Sequence, residues 1–335
     1  MKVLLYTEGI KHIGKSGLGK ALMHQIKALE ENNVDYTLDI KDDYDIVHIN
    51  FYGLKSFRLA KKAKKNGKKI VYHAHSTEED FRNSFIFSNT LAPLFKKWII
   101  KCYSMGDYII TPTPYSKKIL ESYGIKKPIV AISNGIELNF FEKNIPAGKN
   151  FREIYGYKNS DKVIVGIGLY IERKGILDFI ELARRMPEYK FIWFGSSPLT
   201  LSPKKIRKAI KKNNLPNLKL PGYVEPSIIK GALSGADLYI FPTFEETEGI
   251  PALEALASRQ RLLVRDIPVF DPWLKDGKNC YKARNIDEFE IKTKQILSGK
   301  LPSLEEEGYK VAEKRNMKTI GKELLKVYKK VLGEE

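Results

Sequence analysis

The sequence predicts a two-domain α/β protein in which each half builds a parallel β-sheet covered by helices. The chain has 335 residues, enough for two domains of roughly 150–170 residues each. Short β-like runs alternate with helical stretches in both halves, the pattern of a parallel sheet. This alternation is lost over residues 138–160, which contain Pro146, Gly148 and Gly156. Such residues interrupt regular structure, so a domain boundary is expected there.

The individual elements follow from apolar runs and helical spacing. In the first half, strands are expected at residues 3–6, 46–49, 70–73, 108–110 and 129–132, with helices over 21–29, 55–66, 92–104 and 115–123. In the second half, strands are expected at residues 163–167, 190–194, 238–241 and 262–264. The predicted domains are residues 1–145, residues 146–316 and a final helix within residues 317–335. Two such halves place a ligand cleft where the carboxyl ends of their strands face each other.

The composition is that of an ordinary globular protein, with 43% hydrophobic and 29% charged residues. The chain has two cysteines, Cys102 and Cys280, which indicates a reducing compartment and not a secreted disulfide scaffold. No run approaches the roughly 20 apolar residues that span a bilayer. The apolar run at the start is too short for a signal peptide, so a cytoplasmic protein is expected.

The net charge of +18 is unevenly distributed. Residues 51–128 hold 16 Lys and Arg against 5 Asp and Glu, whereas residues 1–50 hold 6 against 8. Such a patch suits an anionic partner, which can be nucleic acid, a membrane surface or phosphate groups. It is equally typical of Lys-rich helices whose charged faces are merely solvated.

The most informative segment is residues 244–257, where two glutamates flank the start of a predicted helix. Glu246 follows the strand at residues 238–241, and Glu254 lies one turn into the helix. The backbone N–H groups of Gly249 and Ile250 lie near the helix N-terminus, which favours anionic oxygens, and Glu254 can accept hydrogen bonds from a ribose diol. Acidic residues also favour a helix N-terminus for stability alone.

This segment resembles the paired-glutamate signature of glycosyltransferase family 4, whose members are retaining enzymes with the GT-B fold. Further family segments occur in the same order, so the resemblance covers nearly the whole chain. These segments are Asp45-Ile46-Val47-His48, Tyr72-His73-Ala74-His75, Ser133-Asn134-Gly135-Ile136-Glu137, Arg173-Lys174-Gly175, Pro221-Gly222-Tyr223 and Ala236-Asp237-Leu238. The resemblance implies two Rossmann-like domains facing across a cleft, with the C-terminal helix returning to the first domain.

The resemblance also assigns roles around the donor. Glu254 binds the ribose of the nucleotide, and Glu246 lies beside the transferred sugar as a catalytic residue. The N–H groups of Gly249 and Ile250 hold sugar hydroxyls or phosphate. Lys174 neutralises the diphosphate as the leaving group departs. Many members carry an arginine five residues before this lysine, where this chain has Leu169; Arg173 is expected to supply that charge.

A second glycine-rich loop, Gly14-Lys15-Ser16-Gly17-Leu18-Gly19-Lys20, joins the first strand to the first helix. Glycine lets the backbone approach a ligand, and the helix dipole favours phosphate. The loop lacks the residue order of a P-loop and the third glycine of a dinucleotide fingerprint. The resemblance places Gly17 over the diphosphate or the acceptor, whereas a plain tight turn remains the structural alternative.

Polar residues after the strand at residues 70–73 form a candidate acceptor region. By resemblance, His75 is the family histidine that contacts the donor sugar and is a second catalytic residue. His73 is predicted either to contact the acceptor or to be a core histidine. Asp80 and Asn83 belong to a polar loop that meets acceptor hydroxyls or is simply solvated.

A basic, partly apolar helix over residues 91–103 suggests membrane contact. Phe95 and Trp98 share one face, and Lys96 and Lys97 lie beside them; the same spacing is typical of a core-facing helix. The neighbouring cluster favours an anionic bilayer surface. Its predicted membrane-contacting lysines are Lys61, Lys62, Lys64 and Lys65.

Within the family, the chain is most similar to bacterial diglycosyl-diacylglycerol synthases. This resemblance implies transfer of glucose, or else galactose, from a UDP-sugar to a monohexosyl-diacylglycerol by a peripheral enzyme on the cytoplasmic membrane face. No metal is expected, because Asp43-Tyr44-Asp45 opens a strand at its N-terminal end, away from the cleft. The alternatives are transfer to a wall, capsule or polyprenyl-linked saccharide, and a basic nucleic-acid-binding protein. The last lacks any recognised nucleic-acid-binding motif, so no nucleic-acid partner is expected.

Overall fold

Parallel strands alternate with helices in both halves of the chain, which confirms the predicted α/β class. The computed structural model describes residues 1–9 and 17–334, and within these residues each of two units contains one six-stranded parallel sheet. The first unit comprises Met1–Phe81, Thr90–Glu137 and Lys314–Glu335. The second unit comprises Arg82–Asn89 and Leu138–Glu313.

The sheet of the first unit has the strand order β2-β1-β3-β4-β5-β6, and all neighbouring strands are parallel. Its strands are β1 (Lys2–Tyr6), β2 (Asp35–Thr37), β3 (Ile46–Ile49), β4 (Lys69–His73), β5 (Tyr108–Thr111) and β6 (Ile129–Ala131). The helices between them are α1 (Gly17–Glu30), α2 (Leu54–Lys65), α3 (Glu78–Phe81), α4 (Ser88–Tyr103) and α5 (Pro114–Ser122). Gly17 is thus the first residue of α1, and the loop residues before it lie outside the described part of the chain.

Both faces of this sheet are covered, because its strands are apolar on both sides. Along β1, Val3 and Leu5 pack into one cluster, while Leu4 packs into another on the opposite face. The first cluster contains α1 and the last helix, α14 (Met317–Leu332), and the second contains α2 and α4. This alternation follows from the two-residue period of a strand.

The C-terminal helix α14 packs on the first unit, as predicted. Its side chains join the cluster that covers one face of the first sheet. A Cβ atom at Gly321 would lie 2.1 Å from the carbonyl oxygen of Ala28 on α1. Glycine therefore lets the two helices approach closely, which fixes Tyr328 against the sheet.

The sheet of the second unit has the strand order β12-β11-β10-β7-β8-β9, again with parallel neighbours. Its strands are β7 (Val163–Ile167), β8 (Lys190–Phe194), β9 (Leu218–Gly222), β10 (Leu238–Phe241), β11 (Leu262–Arg265) and β12 (Tyr281–Ala283). Its helices are α6 (Leu138–Phe141), α7 (Ile145–Ile154), α8 (Ile176–Arg185), α9 (Lys204–Lys211), α10 (Pro226–Gly235), α11 (Ile250–Ala257), α12 (Ile286–Leu297) and α13 (Glu305–Glu313). The strand order reverses between β7 and β10, and open parallel sheets bind ligands at such a reversal.

Candidate active site

The loops that follow β7 and β10 lie side by side, because these strands are neighbours and both run parallel. The loop after β7 ends in the 3₁₀ turn Glu172–Lys174, followed by Gly175 with φ = 76°. A Cβ atom at Gly175 would lie 2.2 Å from the carbonyl oxygen of Pro242. The backbone N–H of Phe244 also donates to the carbonyl oxygen of Arg173 at 2.7 Å. Glycine therefore brings the basic turn directly against the end of β10.

Glu246 is the centre of a polar cluster at the C-terminal ends of β7 and β10. Its carboxylate pairs with the ammonium group of Lys174 and accepts a 2.9 Å hydrogen bond from the hydroxyl of Thr243. The guanidinium of Arg173 lies 3.8 Å from the same carboxylate. Glu246 is buried, so two cations and a hydroxyl compensate a charge that is removed from water. The structure thus brings together three residues predicted for one site.

Arg173 is oriented by contacts on both sides. Its guanidinium donates to the carbonyl oxygen of Glu245 at 2.8 Å and to the hydroxyl of Ser84 at 3.2 Å. By contrast, Leu169 has 42% of its surface exposed. Among the described residues, the cation nearest to Glu246 besides Lys174 is therefore Arg173 on the same turn, and whether it replaces the family arginine stays a prediction.

The start of α11 supplies backbone donors beside this cluster. Gly249 has φ = 95°, and a Cβ atom there would lie 3.0 Å from the ring of Phe241, so the position requires glycine. The first N–H groups of a helix have no intrahelical acceptor, which leaves those of Gly249 and Ile250 suited to oxygen atoms of a ligand. Glu254 follows on the same helix and is fully buried.

Tyr239 is a residue of this region that the sequence motifs did not single out. It lies on β10 and is fully buried. Burial raises the pKa of its phenol well above the usual value, and the negative charges of Glu254 and then Glu246 raise the pKa further. The phenol therefore lies in the field of both predicted glutamates. The sequence signal that could have identified Tyr239 is its position two residues before Phe241, because residues two apart lie on the same face of a strand.

The predicted histidines lie in the first unit, at the end of β4. The rings of His73 and His75 stack with centroids 3.9 Å apart and planes 6° apart. His73 is 2% exposed, whereas His75 is partly exposed. Burial lowers the pKa of His75 to about 3, so this imidazole is neutral near pH 7.

The two residues predicted for the acceptor loop already make structural contacts. The carboxylate of Asp80 accepts a 2.7 Å hydrogen bond from the backbone N–H of Thr77 at the start of α3. Asn83 belongs to the second unit and has φ = 55°. Its carbonyl oxygen accepts the backbone N–H of Arg173 at 3.1 Å, so Asn83 helps to hold the basic turn.

Comparison with known proteins agrees with this arrangement. Residues 24–140 match Glycosyltransferase Family 4, and residues 148–315 match Glycosyl transferases group 1. The chain is 44% identical over 335 residues to the processive diacylglycerol alpha-glucosyltransferase of Acholeplasma laidlawii, covering 99% of each chain. The chain belongs to glycosyltransferase family 4. It is a retaining hexosyltransferase.

Two further comparisons concern a more distant relative and the fold. The enzyme is 23% identical over 291 residues to the alpha-galactosylglucosyldiacylglycerol synthase of Streptococcus pneumoniae, covering 85% of this chain and 77% of that protein. Its fold matches that of Anabaena Alr3699/HepE, solved in complex with UDP-glucose, with a TM-score of 0.79 at 16% identity. That match covers 98% of this chain and 100% of the other. The predicted GT-B fold is therefore confirmed.

The helices of the enzyme expected at a membrane expose most of the predicted lysines, but the predicted aromatic side chains of α4 pack within the first unit. Lys61, Lys62, Lys64 and Lys65 on α2 are exposed, as is Lys97 on α4. On α4, however, the Phe95 ring stacks on Phe81 at 4.1 Å, and the Trp98 indole donates to the carbonyl oxygen of Tyr52 at 2.6 Å. Lys96 pairs with Glu78 at 3.3 Å. The apolar side chains that α4 exposes are instead Leu91 and Leu94.

The acidic residues predicted to lie away from the cleft do so by their contacts, and the described residues form neither a metal cluster nor a membrane span. Across residues 1–9 and 17–334, no group of three or more His, Cys, Asp or Glu side chains is arranged to hold a metal ion. Asp43 pairs with Lys68, and Asp45 accepts the backbone N–H of Lys2, at the N-terminal end of β3. Over the same described residues, no helix has both the length and the apolar character needed to cross a bilayer.

Proposed function

We propose that this enzyme transfers glucose from UDP-glucose to a diacylglycerol-linked acceptor. The supporting observation is the cluster in which Lys174 and Arg173 meet Glu246 at the reversal of strand order in the second sheet. It combines cations for a diphosphate with a carboxylate for the sugar. The name of the full-length Acholeplasma laidlawii relative supports glucose as the sugar and diacylglycerol as the lipid. Galactose is the second candidate, since the pneumococcal relative is named for a galactosyl product.

The donor contacts follow from the positions of the site residues. The N–H groups of Gly249 and Ile250 hold phosphate or sugar oxygens at the start of α11. Glu254 accepts the ribose hydroxyls from its buried position on the same helix. Gly17, at the start of α1, approaches the diphosphate or the acceptor. A carboxylate that accepts two hydroxyl groups gives a strong, directional contact.

The reaction retains the configuration at the anomeric carbon. The bond from this carbon to the diphosphate oxygen breaks, and UDP leaves with the electron pair. The acceptor hydroxyl attacks from the same face, and its proton passes to the departing diphosphate oxygen. Glu246 and His75 stabilise and orient the cationic sugar, while Lys174 and Arg173 stabilise the charge on UDP. Because these side chains and backbone N–H groups supply the charge, the transfer is expected to need no divalent cation.

The acceptor that we propose is a monohexosyl-diacylglycerol, which gives a dihexosyl-diacylglycerol as product. The relative's name describes a processive enzyme, so a glycolipid product that serves again as acceptor is consistent with it. Asp80 and Asn83 are the proposed contacts to the acceptor region, through the loop that they order. His73 is 2% exposed and so fits the alternative of a core histidine.

We also propose that the enzyme binds the cytoplasmic face of the membrane peripherally, through anionic lipids. The ammonium groups of Lys61 on α2 and Lys101 on α4 lie 5.0 and 5.4 Å from the ring centroid of Phe57. The two basic helices therefore share one surface, to which α4 adds the exposed Leu91 and Leu94. Basic residues beside exposed apolar side chains are typical of a peripheral membrane surface.

A transfer assay tests the proposed function directly. Purified enzyme is incubated with radiolabelled UDP-glucose or UDP-galactose and with vesicles that contain monoglucosyl-diacylglycerol. We expect label from UDP-glucose in a dihexosyl lipid, with an α linkage by NMR. Diacylglycerol, a polyprenyl-linked saccharide and a soluble oligosaccharide are tested as competing acceptors. Label that enters only a soluble or polyprenyl-linked product would contradict the glycolipid assignment.

A further inference from the structure

A connected set of buried polar side chains runs through the first unit from the C-terminal helix to His75. It links α14, β3, β4 and α1, and all of its members except His75 are at most 4% exposed. Buried polar groups are costly unless they are hydrogen-bonded, so each bond in this set constrains its neighbours. The members are Tyr328, His48, His73, Gln25, Asn50 and His75.

Tyr328 determines which partner donates and which accepts in this set of hydrogen bonds. Its hydroxyl lies 2.7 Å from Nδ1 of His48, which is its only hydrogen-bond partner among residues 1–9 and 17–334. Burial raises the pKa of this phenol, so the O–H group stays protonated. A buried O–H group needs an acceptor, and Nδ1 of His48 is that acceptor. His48 therefore carries its proton on Nε2.

Nδ1 of His73 lies within hydrogen-bond distance of both His48 and Gln25. Nε2 of His48 lies 3.2 Å from Nδ1 of His73. The two ring centroids are 5.3 Å apart with planes 12° apart, which suits an N–H···N bond lying in the plane of both rings. The side-chain amide of Gln25 also reaches Nδ1 of His73, at 2.8 Å. Since Nδ1 accepts from His48 it carries no proton, and His73 is protonated on Nε2. A carbonyl oxygen would face the lone pair of Nδ1, so the amide presents its NH₂ group instead and shares that single lone pair with the His48 donor.

The orientation of Gln25 fixes Asn50 in turn. The two amides form a reciprocal pair, with 2.8 Å bonds from Gln25 Nε2 to Asn50 Oδ1 and from Asn50 Nδ2 to Gln25 Oε1. Asn50 Oδ1 then lies 2.9 Å from Nε2 of His75. Since this oxygen can only accept, His75 carries its proton on Nε2 and keeps the lone pair on Nδ1.

We propose that Tyr328, His48, Gln25 and Asn50 are positioning residues that hold His75 in the tautomer with an unprotonated Nδ1. Nδ1 of His75 has no hydrogen-bond partner among the described residues, and it accepts a sugar hydroxyl during transfer. A helix at the C-terminal end of the sequence thereby orients His75, two residues beyond the end of β4. The inference rests on the proposed role of His75 at the sugar.

The first test determines the histidine tautomers by NMR, without any activity measurement. The chain has five histidines, so selective ¹⁵N labelling gives a countable spectrum, and His75→Gln assigns the His75 signals. We expect Nε2–H with an unprotonated Nδ1 for His48 and His75 in the wild type. Tyr328→Phe should give a tautomer mixture at His48, whereas Tyr281→Phe, which removes another tyrosine hydroxyl bonded to a backbone carbonyl, should not. A wild-type His75 protonated on Nδ1 would overturn the proposal even if the enzyme transfers glucose as expected.

The second test measures how the hydrogen bond from His75 to position 50 affects the pH dependence of transfer. Asn50→Asp places a carboxylate against Nε2–H of His75 and raises the pKa of this ring. We expect kcat/KM of the wild type to be nearly flat between pH 6 and 8. In the variant, kcat/KM should fall about tenfold or more as the pH decreases from 8 to 6, because protonation of His75 removes the lone pair on Nδ1. One pKa unit corresponds to about a tenfold population change. UDP affinity should be unchanged. A folded Asn50→Asp enzyme with a flat pH profile would overturn the proposal. If the Asn50→Asp variant does not fold, the Tyr328→Phe variant is decisive. An unchanged His75 tautomer together with an unchanged kcat in Tyr328→Phe would then overturn the proposal.

Discussion

The ammonium group of Lys174 contacts the carboxylate of Glu246 although 72 residues separate them in sequence. Both side chains are largely buried, with 14% and 7% exposed. Removal of one partner from a buried pair leaves an uncompensated charge, which is costly. The contact therefore holds the cation proposed for the diphosphate and the carboxylate proposed for the sugar in a fixed relation at the ends of β7 and β10.

Replacement of Lys174 by Gln should lower kcat/KM for transfer by about 100-fold or more, because one preorganised charge at the leaving group is lost. UDP affinity should also fall. Steady-state kinetics and calorimetry with UDP measure both effects. Lys205→Gln is the matched control, since Lys205 pairs with Glu172 at the surface of the same unit. Equal activity of the Lys174 and Lys205 variants would contradict the diphosphate role.

Replacement of Glu254 by Gln should weaken UDP binding about tenfold or more, because a hydrogen bond to a charged group contributes about 1.5–3 kcal/mol. The expected cause is the lost contact between the carboxylate and the ribose diol. Calorimetry with UDP measures it directly, and Glu305→Gln, which breaks a surface pair with Arg261, is the control. Unchanged UDP affinity in a folded Glu254→Gln enzyme would refute the ribose assignment.

Transfer should persist in excess EDTA. The expected reason is that Lys174, Arg173 and the N–H groups at the start of α11 carry the charge of the diphosphate. Initial rates are compared in EDTA, in Mg²⁺ and in Mn²⁺ after dialysis against chelator. Activity that disappears with EDTA and returns with a divalent cation would show that a metal holds the diphosphate.

The three histidines with lowered pKa values should make the enzyme less stable in acid. Burial lowers the pKa of His48 and His75 to about 3 and the pKa of His73 well below its usual value, whereas the unfolded chain titrates near 6.5. Below that pH the unfolded state binds more protons, so the free energy of unfolding is greatest above 6.5 and falls as pH decreases toward 3. Each histidine contributes a loss of about 1.4 kcal/mol per pH unit. Chemical unfolding at pH 5.5, 6.5 and 7.5 measures this slope, which His48→Gln should reduce.

The strands that the sequence pattern missed are β2, β9 and β12, and all three lie at sheet edges. An edge strand pairs on one side only, so it needs no continuous apolar run. Thus β2 begins with Asp35, β9 contains Pro221, and β12 contains Lys282. The central strands, which both faces and both neighbours bury, were predicted within a residue or two because burial requires their apolar runs.

The proximity of Lys174 and Arg173 to Glu246 was predictable, because two neighbouring parallel strands bring their following loops to the same end of a sheet, whatever their separation in sequence. The orientation of α4 was not, since Phe95 and Trp98 have the spacing of either a core face or a membrane face. The contact between His48 and Tyr328 depends on where α14 packs, which no local pattern specifies. Local periodicity therefore predicts elements, while contacts between distant elements require the fold.

The last prediction concerns the basic surface of α2 and α4. Replacement of four lysines of α2 by Gln should lower binding to anionic vesicles, because each lysine near the surface contributes about 1 kcal/mol. UDP affinity should not change, since these side chains are exposed and belong to the first unit. The substituted residues are Lys61, Lys62, Lys64 and Lys65. Vesicle sedimentation with neutral and anionic lipid mixtures measures the effect.

A matched control is available in the second unit, where α9 and the residue after it carry five exposed lysines, of which four are substituted. The control substitutions to Gln are at Lys204, Lys208, Lys211 and Lys212, which remove the same total charge. If the α2 and α4 surface docks on the membrane, the control should retain vesicle binding while the α2 variant loses it. Binding by the wild type should also fall with salt, because screening shortens the electrostatic range to about 8 Å at physiological ionic strength. Equal losses in the two variants would mean that net charge alone attracts the enzyme, and equal wild-type binding to neutral and anionic vesicles would remove the physical basis of the proposed surface.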